Sequence, residues 1–170
     1  MAADARAAGI DESARRATTD DVARLGELVA LAHDELRPMR GGEIWSRHEA
    51  RERDGTAWLT TAVTSGDEHV VVGTIDGYPC GYGVARLVPL RGEVAMAEVT
   101  DLFVEAPFRD VGVGEAMMDL LVEWANENRC IGIDSIALPG NRATKNFFET
   151  FGLTARAIRV HRALGDGGAT

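Results

Sequence analysis

The sequence predicts a mixed α/β fold, in which one central sheet carries helices on its faces. Two observations predict it. Apolar–polar alternation recurs through residues 70–104, where Asp76-Gly77 separates two strand-like runs in the manner of a β-hairpin. Further along, residues 112–151 pass from an amphipathic helical pattern to a strand-like run and back to a helical one. These patterns predict a single, mostly antiparallel sheet of six to seven strands flanked by about four helices.

The individual elements follow from local patterns. Thr19, Asp20 and Asp21 can cap a helix whose apolar residues recur at three- and four-residue steps. Pro139-Gly140 is a turn signal, and Gly152 is a helix stop. The predicted helices are residues 22–32, 43–53, 112–128 and 141–151. The predicted strands are residues 14–18, 58–63, 70–75, 81–88, 94–104, 131–138 and 154–162.

The composition excludes several classes of protein. Of 170 residues, 27 are acidic and 18 are basic, and the formal charge of −9 argues against a nucleic-acid or anionic-lipid binder. No apolar run approaches the roughly 18 residues of a membrane span, and the N-terminus has no secretory signal pattern. Two cysteines and four scattered histidines form neither a disulfide framework nor a metal-ligand spacing. We therefore expect a cytoplasmic, metal-free protein with one domain at residues 14–163, between disordered tails at 1–13 and 164–170.

The most informative stretch is residues 99–118, where a strand, a proline and a glycine-rich turn lead into a helix. Gly112 and Gly114 permit a tight turn that aims successive backbone N–H groups inward. The helix start adds a partial positive charge and Arg109 adds a full one, so the turn suits an anion such as a diphosphate. The turn lacks the Lys-Ser/Thr pair of a P-loop and the first glycine of the dinucleotide-binding fingerprint.

At this motif the chain resembles the GNAT superfamily of N-acetyltransferases. The hallmark of that family is Arg/Gln-x-x-Gly-x-Gly/Ala after an apolar strand end and a proline, and residues 102–114 match it. A second block matches downstream, where Asn141, Thr144, Phe148 and Gly152 fall at the family's spacing. The resemblance extends over about residues 14–163 and implies a GNAT-like acyl-CoA N-acyltransferase fold.

The resemblance implies a site for acetyl-CoA as co-substrate. The turn amides would bind its pyrophosphate with Arg109 anchoring the turn, the strand end would hydrogen-bond the pantetheine arm near Ile136, and Asn141 would touch the cofactor. Arg142 and Lys145 lie in a segment with five basic residues and one acid, and are candidates for pairing with a CoA phosphate. The implied cofactor-binding residues are Leu102, Phe103, Val104, Arg109, Asp110, Val111, Gly112, Val113, Gly114, Asn141, Arg142 and Lys145.

The implied reaction is direct attack of a neutral amine on the thioester, so a base or a water chain must take the amine proton. Glu98 is the first candidate for general base, since several family members carry a catalytic glutamate on this strand. Strict alternation places Glu98, Thr100, Leu102 and Val104 on one face and Asp101 on the other. Asp101 is therefore the reserve candidate, and the two acids are not expected to act as a pair.

Two departures from the family pattern bear on function. Phe148 replaces the tyrosine that often protonates the departing CoA thiolate, and we expect Phe148 to pack in the core with Phe147. The only tyrosines, Tyr78 and Tyr82, belong to the predicted hairpin. In addition, Asp110 and Glu115 flank the turn, and their negative charge should weaken the attraction of CoA.

The expected acceptor is the primary amine of a small molecule, and the acidic composition favours a cationic one. Residues 38–45 occupy the place where family members build acceptor specificity, with Arg40 and Trp45 as pocket candidates. A protein N-terminus or lysine as acceptor and a non-catalytic acyl-CoA-binding module are the open alternatives. A homodimer is expected by analogy with the family.

Overall fold

The computed structural model describes residues 9–164, and within them one five-stranded sheet has the strand order β1-β2-β3-β4-β5. The antiparallel strands are β1 (Glu12–Arg16), β2 (Glu68–Ile75), β3 (Tyr78–Leu90) and β4 (Val94–Val104). β5 (Ile133–Ser135) pairs with β4 in parallel. Asp76 and Gly77 join β2 to β3, and both have the positive φ angles that the predicted tight hairpin requires.

Five α-helices accompany the sheet in this part of the chain. They are α1 (Val22–Leu36), α2 (Gly42–His48), α3 (Thr56–Ser65), α4 (Val113–Glu127) and α5 (Arg142–Thr150). Asn141 caps α5, because its side-chain oxygen accepts the Thr144 backbone N–H at 3.2 Å. None of these helices is long and apolar enough to cross a membrane.

Helices cover both faces of the sheet, which explains why β2 reads as a continuous apolar run. Val70 and Val72 belong to the core cluster of α1 and α3, whereas Val71 between them belongs to the cluster of α4 and α5. The side chains on the second face include three fully buried residues of α4, Met117, Met118 and Leu121.

Gly73 of β2 lets α4 lie close against the sheet. A Cβ atom on Gly73 would stand 2.5 Å from Val113 Cγ1 and 2.9 Å from Met117 Sδ. Any side chain at this position would therefore displace the beginning of α4. This contact positions the site described below, because α4 begins at the glycine-rich turn.

The prediction of a strand at residues 58–63 is wrong, because this segment lies within α3. Leu59 and Ala62 are buried in the cluster that includes α1, and Gly55 and Gly66 bound the helix. Threonine, tryptophan and valine favour a strand locally, but burial at helical spacing against α1 decides the conformation.

The last two predicted strands also differ from the structure. β5 takes up only part of the predicted residues 131–138, because the chain leaves the sheet after Ser135. Residues 154–162 form no strand: the Arg156 side chain pairs with Asp134 of β5, while Ile158 and Val160 are 85% and 89% exposed. The described sheet thus has five strands instead of six to seven.

Smaller differences concern helix bounds and the chain ends. The helix predicted at residues 43–53 ends at His48, and five helices replace the expected four among the described residues. The predicted tails, 1–13 and 164–170, lie mostly outside those residues, and β1 begins at Glu12.

Candidate active site

A cavity of about 270 Å³ opens where β4 and β5 separate. Its walls come from α1, α2, the end of β4, the glycine-rich turn, the segment after β5 and the beginning of α5. β3 and the segment between α2 and α3 add Tyr82 and Arg51. The lining residues include His33, Glu35, Trp45, Arg51, Tyr82, Asp101, Leu102, Val104, Arg109, Asp110, Gly114, Ile136, Asn141, Thr144 and Phe147.

The separation of the strands gives the cavity its shape. β4 pairs with β5 only from Ala97 to Val99, and the Ser135 hydroxyl donates to the Val99 carbonyl at 3.0 Å where the pairing ends. Beyond this point, residues 102–104 line one side of the cavity and residues 136–138 line the other. The β5-facing edge of residues 102–104 therefore has no strand partner within the described sheet and borders an open slot.

The glycine-rich turn borders the cavity through Arg109, Asp110 and Gly114, whereas the predicted residues Val111, Gly112 and Val113 do not line it. Asp110 and Gly112 have φ angles of +63° and +103°, and α4 begins immediately afterwards. The first amides of a helix have no intrahelical partner, so those at the start of α4 can receive an anion. A Cβ on Gly112 would lie 3.1 Å from Glu12 Cγ, and one on Gly114 would lie 3.3 Å from Phe147 Cε2. The positive φ angle of Gly112 therefore favours glycine, and close neighbours leave little room for a side chain at either Gly112 or Gly114.

Arg109 is held by the fold on three sides. Its Nε donates to the Val104 carbonyl at 2.7 Å, its Nη2 donates to Glu35 Oε2 at 2.7 Å, and its guanidinium lies 5.4 Å from the centre of the Phe103 ring. These contacts join the turn, β4 and α1. Asp110 and Glu115 also line the cavity, so negative charge surrounds the turn as the sequence predicts.

The basic residues at the start of α5 do not line the cavity. Lys145 Nζ pairs with Glu149 Oε1 at 2.5 Å, and Arg142 is exposed. Asn141 does line the cavity, although its side-chain oxygen is engaged in capping α5. Of the three predicted cofactor residues in this block, the structure brings only Asn141 to the cavity.

A β-bulge corrects the predicted orientation of the two candidate bases. Val84 of β3 lies opposite Asp101 and Ala85 lies opposite Val99, so Thr100 is an extra residue on β4. The bulge shifts the alternation of β4 by one residue. Glu98, opposite Arg86, and Asp101, opposite Val84, consequently share the face of the sheet that α1 and α3 cover, and the predicted opposite orientation is wrong.

Only one of these two acids reaches the cavity. Asp101 lines it, whereas Glu98 does not and instead pairs with Arg86 at 2.7 Å. The side chain of Asp101 is 11% exposed, and its carboxylate accepts the Thr100 hydroxyl at 2.7 Å and Arg51 Nε at 3.4 Å. Burial raises the pKa of Asp101, and the positive charge of Arg51 opposes this shift without cancelling it.

Tyr82 is a cavity residue that sequence reasoning did not select. It lies on β3 opposite Phe103, lines the cavity and is 2% exposed. Burial raises its pKa well above the usual value, and the charge of Asp101 raises it further, so the hydroxyl keeps its proton at neutral pH. Phe148 is buried in the core cluster of α4 as predicted, and Tyr78 packs on Phe108 outside the cavity.

Side chains of α1 and α2 form another wall of the cavity, and Glu35 of α1 reaches the turn through its pair with Arg109. Trp45 lines it as predicted, with its ring 6.1 Å from that of His33, whereas Arg40 does not line it. His33 Nδ1 is buried and has no hydrogen-bond partner among the described groups. A helical pattern could have placed His33 on the buried face of α1, but no local signal identifies Arg51.

The loop between α1 and α2 lies near the segment after β5. A Cβ on Gly41 would lie 3.6 Å from Pro139 Cδ and 4.0 Å from Leu138 Cδ2. We call this contact the roof, formed by Gly41, Leu138 and Pro139.

A protein-family model and several solved structures match this chain. A model of the acetyltransferase (GNAT) family matches residues 28–153, which include the second half of α1, the glycine-rich turn and α5. No curated protein matches the chain in sequence.

Solved structures share the fold at low sequence identity. The tetramutant of the BH1408 protein from Bacillus halodurans has a TM-score of 0.74 and 18% identity, over 89% of this chain and 99% of that one. A ribosomal-protein-alanine N-acetyltransferase from Brucella melitensis biovar Abortus 2308 has a TM-score of 0.65 and 15% identity, over 92% and 99%. An aminoglycoside acetyltransferase, meta-AAC0020, from an uncultured soil metagenomic sample has a TM-score of 0.67 and 15% identity, over 90% and 95%.

Proposed function

The chain belongs to the GNAT acetyltransferase family, an enzyme family that generally uses acetyl-CoA, and from this premise we propose that it acetylates the primary amine of a small molecule with Asp101 as general base. The observation that carries the proposal is the position of Asp101. Its carboxylate lines the cavity beside the end of β4 and, unlike that of Glu98, is buried there next to Arg51.

The residues around the slot fit acetyl-CoA. The amides of residues 110–114 would receive the diphosphate, because positive φ angles and the start of α4 leave them free of a helical partner. The unpaired edge of residues 102–104 would hydrogen-bond the pantetheine amides, and Asn141 would lie alongside. Arg109 anchors the turn through its contacts with the Val104 carbonyl and with Glu35. Arg142 and Lys145 do not line the cavity, so we omit them from the proposed site.

The chemistry requires one proton acceptor. The amine nitrogen forms a bond to the thioester carbonyl carbon, and Asp101 accepts the proton that the nitrogen loses. The carbon–sulfur bond then breaks, which releases the N-acetylated amine and the CoA thiolate. Because thiols have a pKa of about 8.5, the thiolate is a good leaving group and can take its proton from water. A buried carboxylate with a raised pKa is a stronger base than an exposed one, which suits Asp101 to this role.

The acceptor end of the cavity favours a small amine with one charge and an apolar body. Four carboxylates line the cavity: Asp101 contacts Arg51 and Glu35 pairs with Arg109, whereas Asp110 and Glu115 lie at the glycine-rich turn. Apolar and aromatic side chains line much of the remaining wall, among them Val29, Ala32, Leu36, Trp45 and Ala50. A polycation would need further unpaired carboxylates near Asp101. The cytoplasmic location and the homodimer expected from the sequence stay predictions.

A panel of acceptors tests the proposal. Release of free CoA from acetyl-CoA is measured with phenethylamine, ethylamine, spermidine and a peptide with N-terminal alanine. We expect kcat/KM for phenethylamine to exceed that for ethylamine and for spermidine by about tenfold or more, because its ring buries apolar surface. A preference for the peptide would contradict a small-molecule acceptor, and a preference for spermidine would contradict an acceptor with one charge and an apolar body. Binding of acetyl-CoA without CoA release in any reaction would favour the acyl-CoA-binding module.

A further inference from the structure

Arg51, in the segment between α2 and α3, joins Asp101 to a second carboxylate. Its Nη2 donates to Glu68 Oε1 in a short ion pair and to the Thr100 hydroxyl at 3.1 Å. Its Nε donates to Asp101 Oδ2 at 3.4 Å. The Arg51 side chain is 22% exposed, so these contacts are largely shielded from solvent. One guanidinium is therefore divided between two carboxylates, with the closer contact to Glu68.

Trp58 of α3 holds both members of the Arg51–Glu68 pair. The Arg51 guanidinium lies 4.3 Å from the centre of the indole ring, and the indole Nε1 donates to Glu68 Oε2 at 2.6 Å. The Glu68 side chain is 15% exposed. A tryptophan that stacks on the cation and binds the anion fixes the position of the guanidinium relative to Asp101.

We propose that Arg51 and Glu68 are positioning residues for the general base. The guanidinium of Arg51 is shared between the carboxylates of Glu68 and Asp101. Arg51 stabilises the charged form of Asp101, and Glu68 holds Arg51 away from full pairing with it. The proposal rests on the proposed function for its catalytic meaning, because it concerns the same base. Its consequence is that the proton affinity of Asp101 depends on Arg51 and Glu68 in opposite directions.

Other charged and titratable groups also face Asp101 or its cavity. Tyr82 of β3 faces it directly, and Thr100 donates a hydrogen bond to its carboxylate. From α1, His33 and Glu35 line the same cavity, and Glu35 is paired with Arg109. Along the same sheet face, Arg86 and Glu98 neutralise each other at 2.7 Å, which makes this pair a suitable control.

The electrostatic balance at Asp101 supports opposite effects of the two residues. Burial raises the pKa of Asp101 most strongly, and the negative charge of Glu68 adds to this increase. The positive charge and hydrogen bond of Arg51 lower the pKa. Loss of Arg51 should therefore make Asp101 harder to ionise, and loss of the Glu68 charge should make it easier to ionise.

The test is a carbon-13 NMR titration of the Asp101 side-chain carboxyl, with Asp101→Asn to assign its signal. We expect Arg51→Met to raise the Asp101 pKa by about one unit or more, a tenfold change in protonation constant. We expect Glu68→Gln to lower this pKa and Arg86→Met to leave it unchanged. Arg51→Lys keeps the charge but loses the fork, so its Asp101 pKa should fall between those of wild type and Arg51→Met.

The outcomes separate this proposal from a purely structural role and from the proposed function. If the Arg51 and Glu68 variants move the pKa in the same direction, or leave it unchanged, the proposal is wrong. If Arg51→Met does not fold, Arg51→Lys and Glu68→Gln still decide the signs. The titration uses no acceptor and no acetyl-CoA. Failure of every amine to react would therefore overturn the proposed function and leave the titration result intact.

Discussion

Asp101 reaches the cavity because Thr100 is the extra residue of a β-bulge and has no register partner on β3. One extra residue in β4 turns the following side chains over, so that Asp101 and Phe103 face α1. The bulge lies beside the point where β5 stops pairing with β4. The candidate base and the slot thus both lie next to this irregularity of the strand.

Replacement of the two candidate bases should distinguish their roles. Asp101→Asn should lower kcat/KM about 10²- to 10⁴-fold, because it removes the proton acceptor from the cavity. The matched variant Glu98→Gln should change kcat/KM by less than about threefold, because Glu98 pairs with Arg86 outside the cavity. Both rates are measured by CoA release with the fastest amine of the panel, and acetyl-CoA affinity is measured by calorimetry. Equal activity of Asp101→Asn and wild type would remove Asp101 from the mechanism.

The stability of the α1 start should depend on pH through Asp21. This residue is 5% exposed and accepts both Arg15 Nη atoms and the Thr18 N–H, each at 2.8 Å. The hydrogen bonds from Arg15 are the main reason that the pKa of Asp21 lies below its usual value of 3.8. Its stabilising contribution is therefore present above this value and is lost as the pH falls through the lowered pKa.

We expect Asp21→Asn to lower the free energy of unfolding by about 2 kcal/mol at pH 7. Urea unfolding of the variant and wild type at pH 7 and pH 3 measures the difference. The difference should narrow at pH 3, where protonation begins to remove the same contacts from the wild type. Asp20→Asn, at the exposed neighbouring position, is the control and should have little effect. A difference of equal size at both pH values would contradict the role of the Asp21 charge.

At the scale of elements, the glycine-rich turn connects a strand end to a helix start. Gly112 combines a φ of +103° with the neighbouring Glu12 side chain, so substitution causes both backbone strain and crowding. We expect Gly112→Ala to weaken acetyl-CoA binding by about tenfold, or 1.4 kcal/mol, as measured by calorimetry.

The matched control for Gly112 is Gly77, whose φ is +78° and whose Cβ would meet open space in the β2–β3 turn. Gly77→Ala should lower stability by about 1 kcal/mol through strain alone. Its acetyl-CoA affinity should equal that of the wild type. Similar losses of affinity in both variants would show that general destabilisation, and not the turn, explains the result.

Elements with a strong local pattern could be predicted from the sequence, and those decided by distant packing could not. The β2–β3 hairpin, the helix after the glycine-rich turn and the turn at Pro139-Gly140 carry their signals within a few residues. Residues 58–63 become helical because Leu59 packs in the cluster with α1, which local propensity does not reveal. The bulge at Thr100 is likewise a property of strand pairing. The assumption of strict alternation therefore placed the Asp101 side chain on the wrong face of the sheet.

At the scale of the whole molecule, long-range contacts complete the site. Arg51 and Asp101 lie 50 positions apart, and Arg109 and Glu35 lie 74 apart. The Arg109–Glu35 pair and the roof connect α1 and the α1–α2 loop to the segments that follow β4 and β5. The family motif therefore predicts the part of the cavity at the glycine-rich turn, whereas Tyr82 and Arg51 near Asp101 emerge only from the fold.

A crystal structure of the protein with acetyl-CoA would test whether the glycine-rich turn, the slot between β4 and β5, and Asp101 surround the cofactor as proposed. We predict that the diphosphate lies about 3 Å from the amides of residues 110–114 and that the pantetheine runs between β4 and β5. The thioester should lie in the cavity beside Asp101. A diphosphate bound away from the turn, or a thioester outside the cavity and nearer to Glu98, would contradict this placement of acetyl-CoA.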